Sequence, residues 1–108
     1  MRVEKRVQSL IDLDEIAEGL AVDASPAVAL RFLDSAEATL ERLAEMPGMG
    51  APYDSDHPLL VGLRHAPVRG FPNHYLFYFE RPSCGIELIR VLHAKRDLDK
   101  VLSSRDFT

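Results

Sequence analysis

The sequence predicts an α+β fold in which an N-terminal helical hairpin packs on one face of an antiparallel sheet of three to four strands. Apolar residues recur every three to four positions between residues 7 and 43, which is typical of amphipathic helices. Aromatic and long aliphatic residues are concentrated between residues 63 and 93, which favours strands. The links between these segments are short, so the expected element order is β-α-α-β-β-β-α.

The composition is typical of a single folded domain over residues 1–108. Hydrophobic residues make up 46% of the chain and charged residues 28%, and no apolar run has the length of a membrane helix. The N-terminus lacks the apolar core of a signal peptide. The single cysteine, Cys84, cannot form an internal disulfide, and no Cys/His cluster suggests zinc. We therefore expect a cytoplasmic protein with no metal and no cofactor.

Charge is divided unevenly along the chain. The net charge is −4, yet residues 1–54 contain 5 Lys/Arg and 11 Asp/Glu, whereas residues 55–108 contain 8 and 6 and all four histidines. The basic half is suited to an acidic partner, although acidic helix faces alone would also produce this difference. The net acidic charge argues against a nucleic-acid-binding protein.

Two helices are predicted after a short N-terminal edge strand within residues 1–6. The first helix begins near Val7, and its polar face is expected to be solvated. The second begins at Pro26 with Ser25 as its N-cap, and Pro47 ends it. The predicted buried stripe of the first helix comprises Val7, Leu10, Ile11, Ile16, Ala17 and Leu20; its solvated face comprises Asp12, Glu15 and Glu18. The predicted buried stripe of the second comprises Ala29, Phe32, Leu33, Ala36, Leu40 and Leu43.

Three strands are predicted at residues 63–69, 75–81 and 86–93, with turns at residues 70–73 and 81–85. In the middle strand Tyr75, Phe77 and Phe79 share one face, and we expect them to be the core against the helical hairpin. In the last strand regular alternation would point Arg90 and His93 to opposite faces. A short final helix is predicted at residues 97–102.

Four segments together resemble the ParE branch of the RelE/ParE toxin superfamily. They read DLDEIAE, SPAVALRFLDSAEATLERLAEMPGMGAPYD, LRHAPVRGFPNHYLFYF and IELIRVLHAKRDL, and they span nearly the whole chain in the family's order and spacing. The resemblance implies the fold derived above. It also implies a small toxin of a bacterial type II toxin–antitoxin (plasmid stabilisation) system.

Two activities follow from this resemblance. ParE-type members are not nucleases, and studied ones act on DNA gyrase, whereas RelE-type members cleave messenger RNA on the ribosome. Both are neutralised by a cognate antitoxin, ParD-like or RelB-like, whose C-terminal segment wraps around the toxin. A third possibility is a non-toxic orphan that keeps antitoxin binding. The resemblance leaves open whether the chain forms a homodimer or only a toxin–antitoxin hetero-oligomer.

Metal-independent RNA cleavage needs a base for the 2′-hydroxyl, cations for the phosphorane and an acid for the leaving oxygen. The residues that would form such a site are Arg64, Arg69, Arg90 and His93, with His65, His74, Tyr75 and Tyr78 as further candidates. However, the C-terminal tyrosine frequent at RelE-type sites is missing, because no tyrosine follows Tyr78. A function through binding is therefore favoured over RNase activity.

The basic residues of the second half are the predicted contacts for an acidic antitoxin. They are Arg64, Arg69, Arg90, Lys95 and Arg96. Each has a simpler alternative: Arg90 as a structural ion-pair partner, His93 as a structural histidine, and Arg64 and Arg69 as solvent-facing charges.

Overall fold

The computed structural model describes residues 2–54, 57–82 and 85–93. They form strands β1 (Arg2–Lys5), β2 (Ala51–Pro52), β3 (Arg64–Val68), β4 (Phe71–Glu80) and β5 (Gly85–His93), and helices α1 (Val7–Asp23) and α2 (Pro26–Glu45). Short 3-10 turns occur at Pro47–Met49 and Pro58–Leu60. None of the helices in these ranges is both long and apolar enough to span a membrane. Cys84 and the helix predicted at residues 97–102 lie outside the described residues.

The predicted α+β class is confirmed, with a sheet of five strands in the order β1-β5-β4-β3-β2. All neighbouring strands are antiparallel except β1, which pairs in parallel with β5. The predicted N-terminal edge strand is therefore present. It runs parallel to β5, however, so the sheet is mixed where a purely antiparallel sheet was predicted. The second additional strand, β2, has only two residues, too few to produce an alternating pattern in the sequence.

The predicted start of α2 is confirmed. The Val28 N–H donates to Ser25 Oγ at 3.2 Å, and Pro26 is the first helical residue, where its missing N–H costs nothing. The predicted stripe of α2 is buried as well, except that Leu33 is half-buried. Its buried residues are Ala29, Phe32, Ala36, Thr39, Leu40, Leu43 and Ala44.

The predicted stripe of α1 is wrong in its first two turns. Val7, Leu10 and Ile11 are 73%, 46% and 43% exposed. The buried positions of α1 are Ser9, Asp12 and Leu13. Counting back from Leu20 and Ile16 in helical steps of three to four leads to these positions, so two polar residues occupy the buried stripe.

The sheet has a core on each face. The hairpin-side core contains Leu13, Phe32, Ala36, Leu40, Leu43, Ala44, Val68, Leu76, Tyr78, Ile86, Leu88 and Val91. The far-side cluster contains Leu60, Leu63, Phe77, Ile89 and Leu92, with Tyr53, Tyr75 and Phe79 packed against it. The prediction that Tyr75, Phe77 and Phe79 pack against the hairpin is therefore wrong, because Leu76 and Tyr78 face the helices. Both faces of β4 are apolar, so its pattern could not decide between them.

A β-bulge in β5 changes the direction of its side chains. Phe77 pairs with Arg90 and Tyr78 pairs with Leu88, which leaves Ile89 without a partner of its own. Leu88 and Val91 consequently both belong to the hairpin-side core, although they are three residues apart. Regular pairing continues from Arg90 to His93, after the bulge, and both residues line one cavity beside α1.

The reversal between β3 and β4 is tighter than predicted. Phe71 already belongs to β4, so the turn consists of Arg69 and Gly70, and Gly70 has a φ of +83°, which suits glycine. Helix α2 fixes this turn: Ser35 Oγ donates to the Arg69 carbonyl, and the Arg69 N–H donates to Thr39 Oγ1 at 3.3 Å. The position of Arg69 is thus set by two hydrogen bonds to α2.

Candidate functional site

Arg90, the central residue of the predicted site, forms a buried ion pair with Asp12. Its Nε donates to Asp12 Oδ2 at 2.8 Å and its Nη2 donates to Asp12 Oδ1 at 3.1 Å. Asp12 Oδ2 also accepts the Val91 N–H at 3.0 Å, beside the bulge. Arg90 and Asp12 are 7% and 6% exposed. The expectation that Asp12 is solvated is therefore wrong, and the charge of Arg90 is neutralised inside the fold.

His93 lies next to this ion pair and contacts a second histidine. A cavity of about 310 Å³ is lined by Asp12, Glu15, Ile16, Arg90, Val91, Leu92 and His93. The rings of His74 and His93 are 5.2 Å apart and nearly perpendicular, and His74 also stacks edge-on with Phe32 at 5.4 Å. Burial, and then the charge of His93, lower the pKa of His74 below its usual value. The fold therefore favours a neutral His74.

Arg64 is held by the segment that follows α2. Its Nη1 donates to the Gly50 carbonyl at 2.6 Å. Tyr78, fully buried beneath this segment, donates from Oη to the Pro47 carbonyl at 2.6 Å and accepts the Gly50 N–H at 3.0 Å. Burial is the main cause that raises the pKa of Tyr78. Tyr78 thus stabilises the turn of residues 47–50, and its hydroxyl proton is used in the hydrogen bond to the Pro47 carbonyl.

Arg64 also lines the cavity at this end of the sheet, which measures about 720 Å³. The other residues around it include Glu45, Pro47, Val61, Phe79, Glu80 and Arg81. Arg81 stacks over the Phe79 ring, 5.2 Å from its centroid, and pairs with Glu87. Positive and negative side chains are balanced around this cavity, which does not favour a polyanion such as RNA.

Arg69 lines a third surface, which we call the α2–β3 groove. It measures about 360 Å³ and is formed by Ala38, Thr39, Arg42, Met49, Ala66, Pro67 and Arg69. Most of these side chains are apolar, and the two arginines supply its positive charge. Neither Arg42 nor Arg69 forms an ion pair with any residue that the structure describes.

The residues predicted for RNA cleavage are thus distributed over three surfaces. Arg90 and His93 line one cavity, Arg64 lines the second, and Arg69 lines the α2–β3 groove. His65, a further candidate, lies on the far face, where its ring contacts Tyr53, Tyr75 and Phe77, and burial lowers its pKa. Lys95 and Arg96 lie outside the described residues. Within residues 2–54, 57–82 and 85–93, no three His, Cys, Asp or Glu side chains are grouped to hold a metal ion.

The comparison with protein families decides the identity of the fold. A model of the ParE toxin of the type II toxin–antitoxin system parDE matches residues 3–98. The chain belongs to the ParE toxin family. The resemblance predicted from the four sequence segments is therefore confirmed. None of the curated proteins matches the sequence.

A solved structure supports the same ParE fold. The structure described as the chromosomal ParDE TA system from P. aeruginosa matches with a TM-score of 0.70 and 19% sequence identity. The match covers 88% of this chain and 97% of the other. At this identity the likeness establishes the shared fold alone.

Three residues of this ParE chain matter to the candidate surfaces and were missed in the sequence. Asp12 was assigned to the solvated face of α1, although its spacing from Ser9 and Leu13 places it on the buried stripe. Tyr78 was named as a further candidate for an RNA-cleavage site, and its contact with Pro47 has no signal in the sequence. Arg42 was not among the predicted contacts, and only the position of β3 makes it part of a groove.

Proposed function

We propose that this ParE-family chain is a toxin that acts by binding its target and does not cleave RNA. The observation that carries the proposal is the engagement of Arg90 by Asp12. A guanidinium so neutralised and buried is poorly placed to stabilise the added charge of a phosphorane. The remaining candidate cations, Arg64 and Arg69, line separate surfaces, whereas RNA cleavage requires cations and proton carriers around one phosphate.

We propose DNA gyrase as the target. Membership of the ParE toxin family supports this choice over the ribosome. The net charge of −4 agrees with a protein target, because tight contact with ribosomal RNA would favour a positive excess. Gyrase is a cytoplasmic enzyme, so the proposal places the toxin in the cytoplasm.

A cognate antitoxin is the second proposed partner. The structural match comes from a ParDE toxin–antitoxin system, and the exposed Arg69 and the half-buried Arg64 suit acidic side chains. Arg64 and Arg69, together with Lys95 and Arg96, are the proposed contacts. Arg90 is left out of this set because its donors are directed to Asp12, so it supports the surface by holding α1 against β5.

The test is expression of the chain with and without the product of the adjoining reading frame. We expect the toxin alone to stop growth and the purified toxin to inhibit supercoiling by gyrase, and we expect co-expression to relieve both effects. Normal growth together with unaffected supercoiling would refute the gyrase proposal. Stable binding to the adjoining product without toxicity would instead identify an orphan that retains only the antitoxin interaction.

Ribosome-dependent RNA cleavage is a second candidate, and one observation favours it. Arg90 and His93 line the same cavity, and His74 is in contact with His93. Translation in vitro followed by primer extension would then reveal cuts at the ribosomal A site. These cuts should disappear in His93→Gln, whose shape and hydrogen-bonding capacity are similar. Absence of cuts with the unaltered chain would exclude this candidate.

A further inference from the structure

His74 on β4 and His93 on β5 lie directly opposite each other in the sheet. Residues so paired on antiparallel strands share one face, with Cβ atoms about 4.5–5.5 Å apart. His74 contacts Phe32 of α2. His93 lines a cavity with Ile16 of α1, so both imidazoles lie on the face that the helical hairpin covers. The pairing of the strands therefore brings two imidazole rings together near one end of the sheet.

The separation of these rings suits two imidazoles that bind one metal ion. Their centroids are 5.2 Å apart, and their planes are at 86° to each other. A zinc ion binds imidazole nitrogens at about 2.0–2.1 Å, and tetrahedral angles between two such ligands place the ring centroids about 5 Å apart. Each ring can turn about its own metal–nitrogen bond, so perpendicular planes do not prevent chelation. Neither side chain is fully buried, so an ion can reach the pair from solvent.

The protonation of the pair also suits a metal ion. An imidazole binds a metal only through a nitrogen that carries no proton. Burial, and then the charge of His93, lower the pKa of His74, so His74 is neutral near pH 7. Two protonated rings repel each other at this distance, whereas one divalent ion between them is bound by both.

The charged groups beside the pair favour a cation. The cavity that His93 lines also contains Asp12, Glu15 and Arg90. The guanidinium of Arg90 is neutralised by its two hydrogen bonds to Asp12. Glu15 is exposed and forms no ion pair with any residue that the structure describes. One carboxylate of the cavity is thus left uncompensated, and its potential attracts a positive ion.

We propose that His74 and His93 form a binding site for a divalent transition-metal ion, with the two imidazoles as its protein ligands. Zn²⁺ and Ni²⁺ bind imidazole readily, whereas Mg²⁺ and Ca²⁺ prefer oxygen ligands. Water fills the remaining coordination positions, and the ion links β4 to β5. Residues 75–92 separate the two histidines in the chain, so no metal-ligand spacing is visible in the sequence. The site does not depend on the proposed function.

The first test is isothermal titration calorimetry of the untagged chain with Ni²⁺ and Zn²⁺ near neutral pH. His74→Gln and His93→Gln should each raise the dissociation constant about a hundredfold, because loss of one of two linked ligands removes the effective concentration of the other. His65→Gln is the matched control, since His65 is a half-buried histidine on the far face of the sheet. Its affinity for both ions should equal that of the unaltered chain.

Three outcomes of this titration would overturn the proposal. The first is an unaltered chain that binds Ni²⁺ no more tightly than His74→Gln. The second is a loss in His65→Gln equal to the losses at the pair, which would show dispersed binding to histidines. The third is Mg²⁺ binding as tight as Ni²⁺ binding, which would show a general attraction of cations. Circular dichroism verifies that each variant folds.

The second test needs no substitution. Paramagnetic Ni²⁺ broadens nuclear magnetic resonance signals only close to its binding site. Ni²⁺ at less than one equivalent should therefore broaden the imidazole signals of His74 and His93 and leave those of His57 and His65 sharp. Equal broadening at all four histidines, or sharp signals at the pair, would overturn the proposal even if the glutamine variants failed to fold.

Discussion

Asp12 on α1 and Arg90 on β5 are 78 residues apart in the chain and form a two-point ion pair that is more than nine-tenths buried. Asp12 binds the strand at a third point through the Val91 N–H. Among the described residues no buried side-chain polar atom is left without a hydrogen bond, so this pair is fully satisfied. Such a pair stabilises the fold chiefly because either partner alone would be a buried charge.

Removal of one partner should therefore be costly. We expect Asp12→Ala to lower the free energy of unfolding by about 3–5 kcal/mol, since it leaves Arg90 buried and uncompensated. Urea denaturation measures this change. The control is Glu15→Ala, one helical turn away and exposed, which should change stability by no more than about 0.5 kcal/mol. Equal effects of the two substitutions would show that Asp12 is solvated in solution.

Replacing both partners by apolar residues should restore much of that loss. The double variant Asp12→Leu/Arg90→Met removes the charges together and keeps the volumes similar. We expect it to be more stable than Asp12→Ala alone, because no unpaired charge remains. A double variant as unstable as the single one would indicate that the hydrogen bond to the Val91 N–H is the dominant contribution.

The hydroxyl of Tyr78 is expected to stabilise the turn after α2. Tyr78→Phe keeps the ring but leaves the Pro47 carbonyl and the Gly50 N–H without their partner, which should cost about 1–3 kcal/mol. Hydrogen exchange should show faster exchange at residues 47–50. Tyr75→Phe is the control, since Tyr75 is half-buried on the other face of the same strand, and its effect should be smaller.

Gly50 should not tolerate a side chain while Tyr78 is present. A Cβ at Gly50 would lie 2.2 Å from Tyr78 Oη, so Gly50→Ala must displace the tyrosine ring or the turn. Thermal unfolding should show a clear loss for Gly50→Ala and little change for Gly48→Ala, where no atom lies within 4 Å of the added Cβ. If Gly48→Ala destabilises the protein equally, the contact with Tyr78 is not the cause.

Stability should fall as the pH decreases below about 6.5, the ordinary pKa of histidine. Burial lowers the pKa of His74 in the folded state, so below 6.5 the unfolded chain binds more protons than the folded one. The loss of unfolding free energy due to His74 is therefore absent above pH 6.5. It reaches its full size once the pH is below the pKa of His74 in the folded protein. His74→Gln should reduce the decrease in unfolding free energy between pH 7.5 and 5.5; an unchanged decrease would assign it to other groups.

The sequence was sufficient to predict structure where a residue type strongly favours one local conformation or one buried position. Ser25 and Pro26 predicted the start of α2, and Phe32 and Leu40 predicted its buried face. It was insufficient where distant contacts decide. The bulge at Ile89 lies beside the Val91 N–H that Asp12 binds, a contact across the fold, and the buried face of β4 depends on which of its two apolar sides the hairpin covers.

The candidate surfaces could likewise be predicted only in part, because the residues were recognisable but their arrangement in space was not. The basic residues of β3 and its turn were visible in the sequence, but their distribution over separate cavities follows from the path of the chain. Arg90 was equally compatible with a surface role and a structural role. Only the burial of Asp12, a charged residue on the stripe of Leu13 and Ile16, decided in favour of the structural role.

The parallel pairing of β1 with β5 determines when the protein can fold during its synthesis. Arg2 pairs with Gly85, and the close approach leaves no space for a side chain at Gly85, whose added Cβ would lie 2.0 Å from the Arg2 carbonyl. Strand β1 therefore has no pairing partner until β5 has been synthesised. The sheet that the hairpin covers is incomplete up to that point. Contacts of such long sequence separation form late. A chain that lacks β5 therefore lacks the partner of β1 and a central strand of the sheet that the hairpin covers.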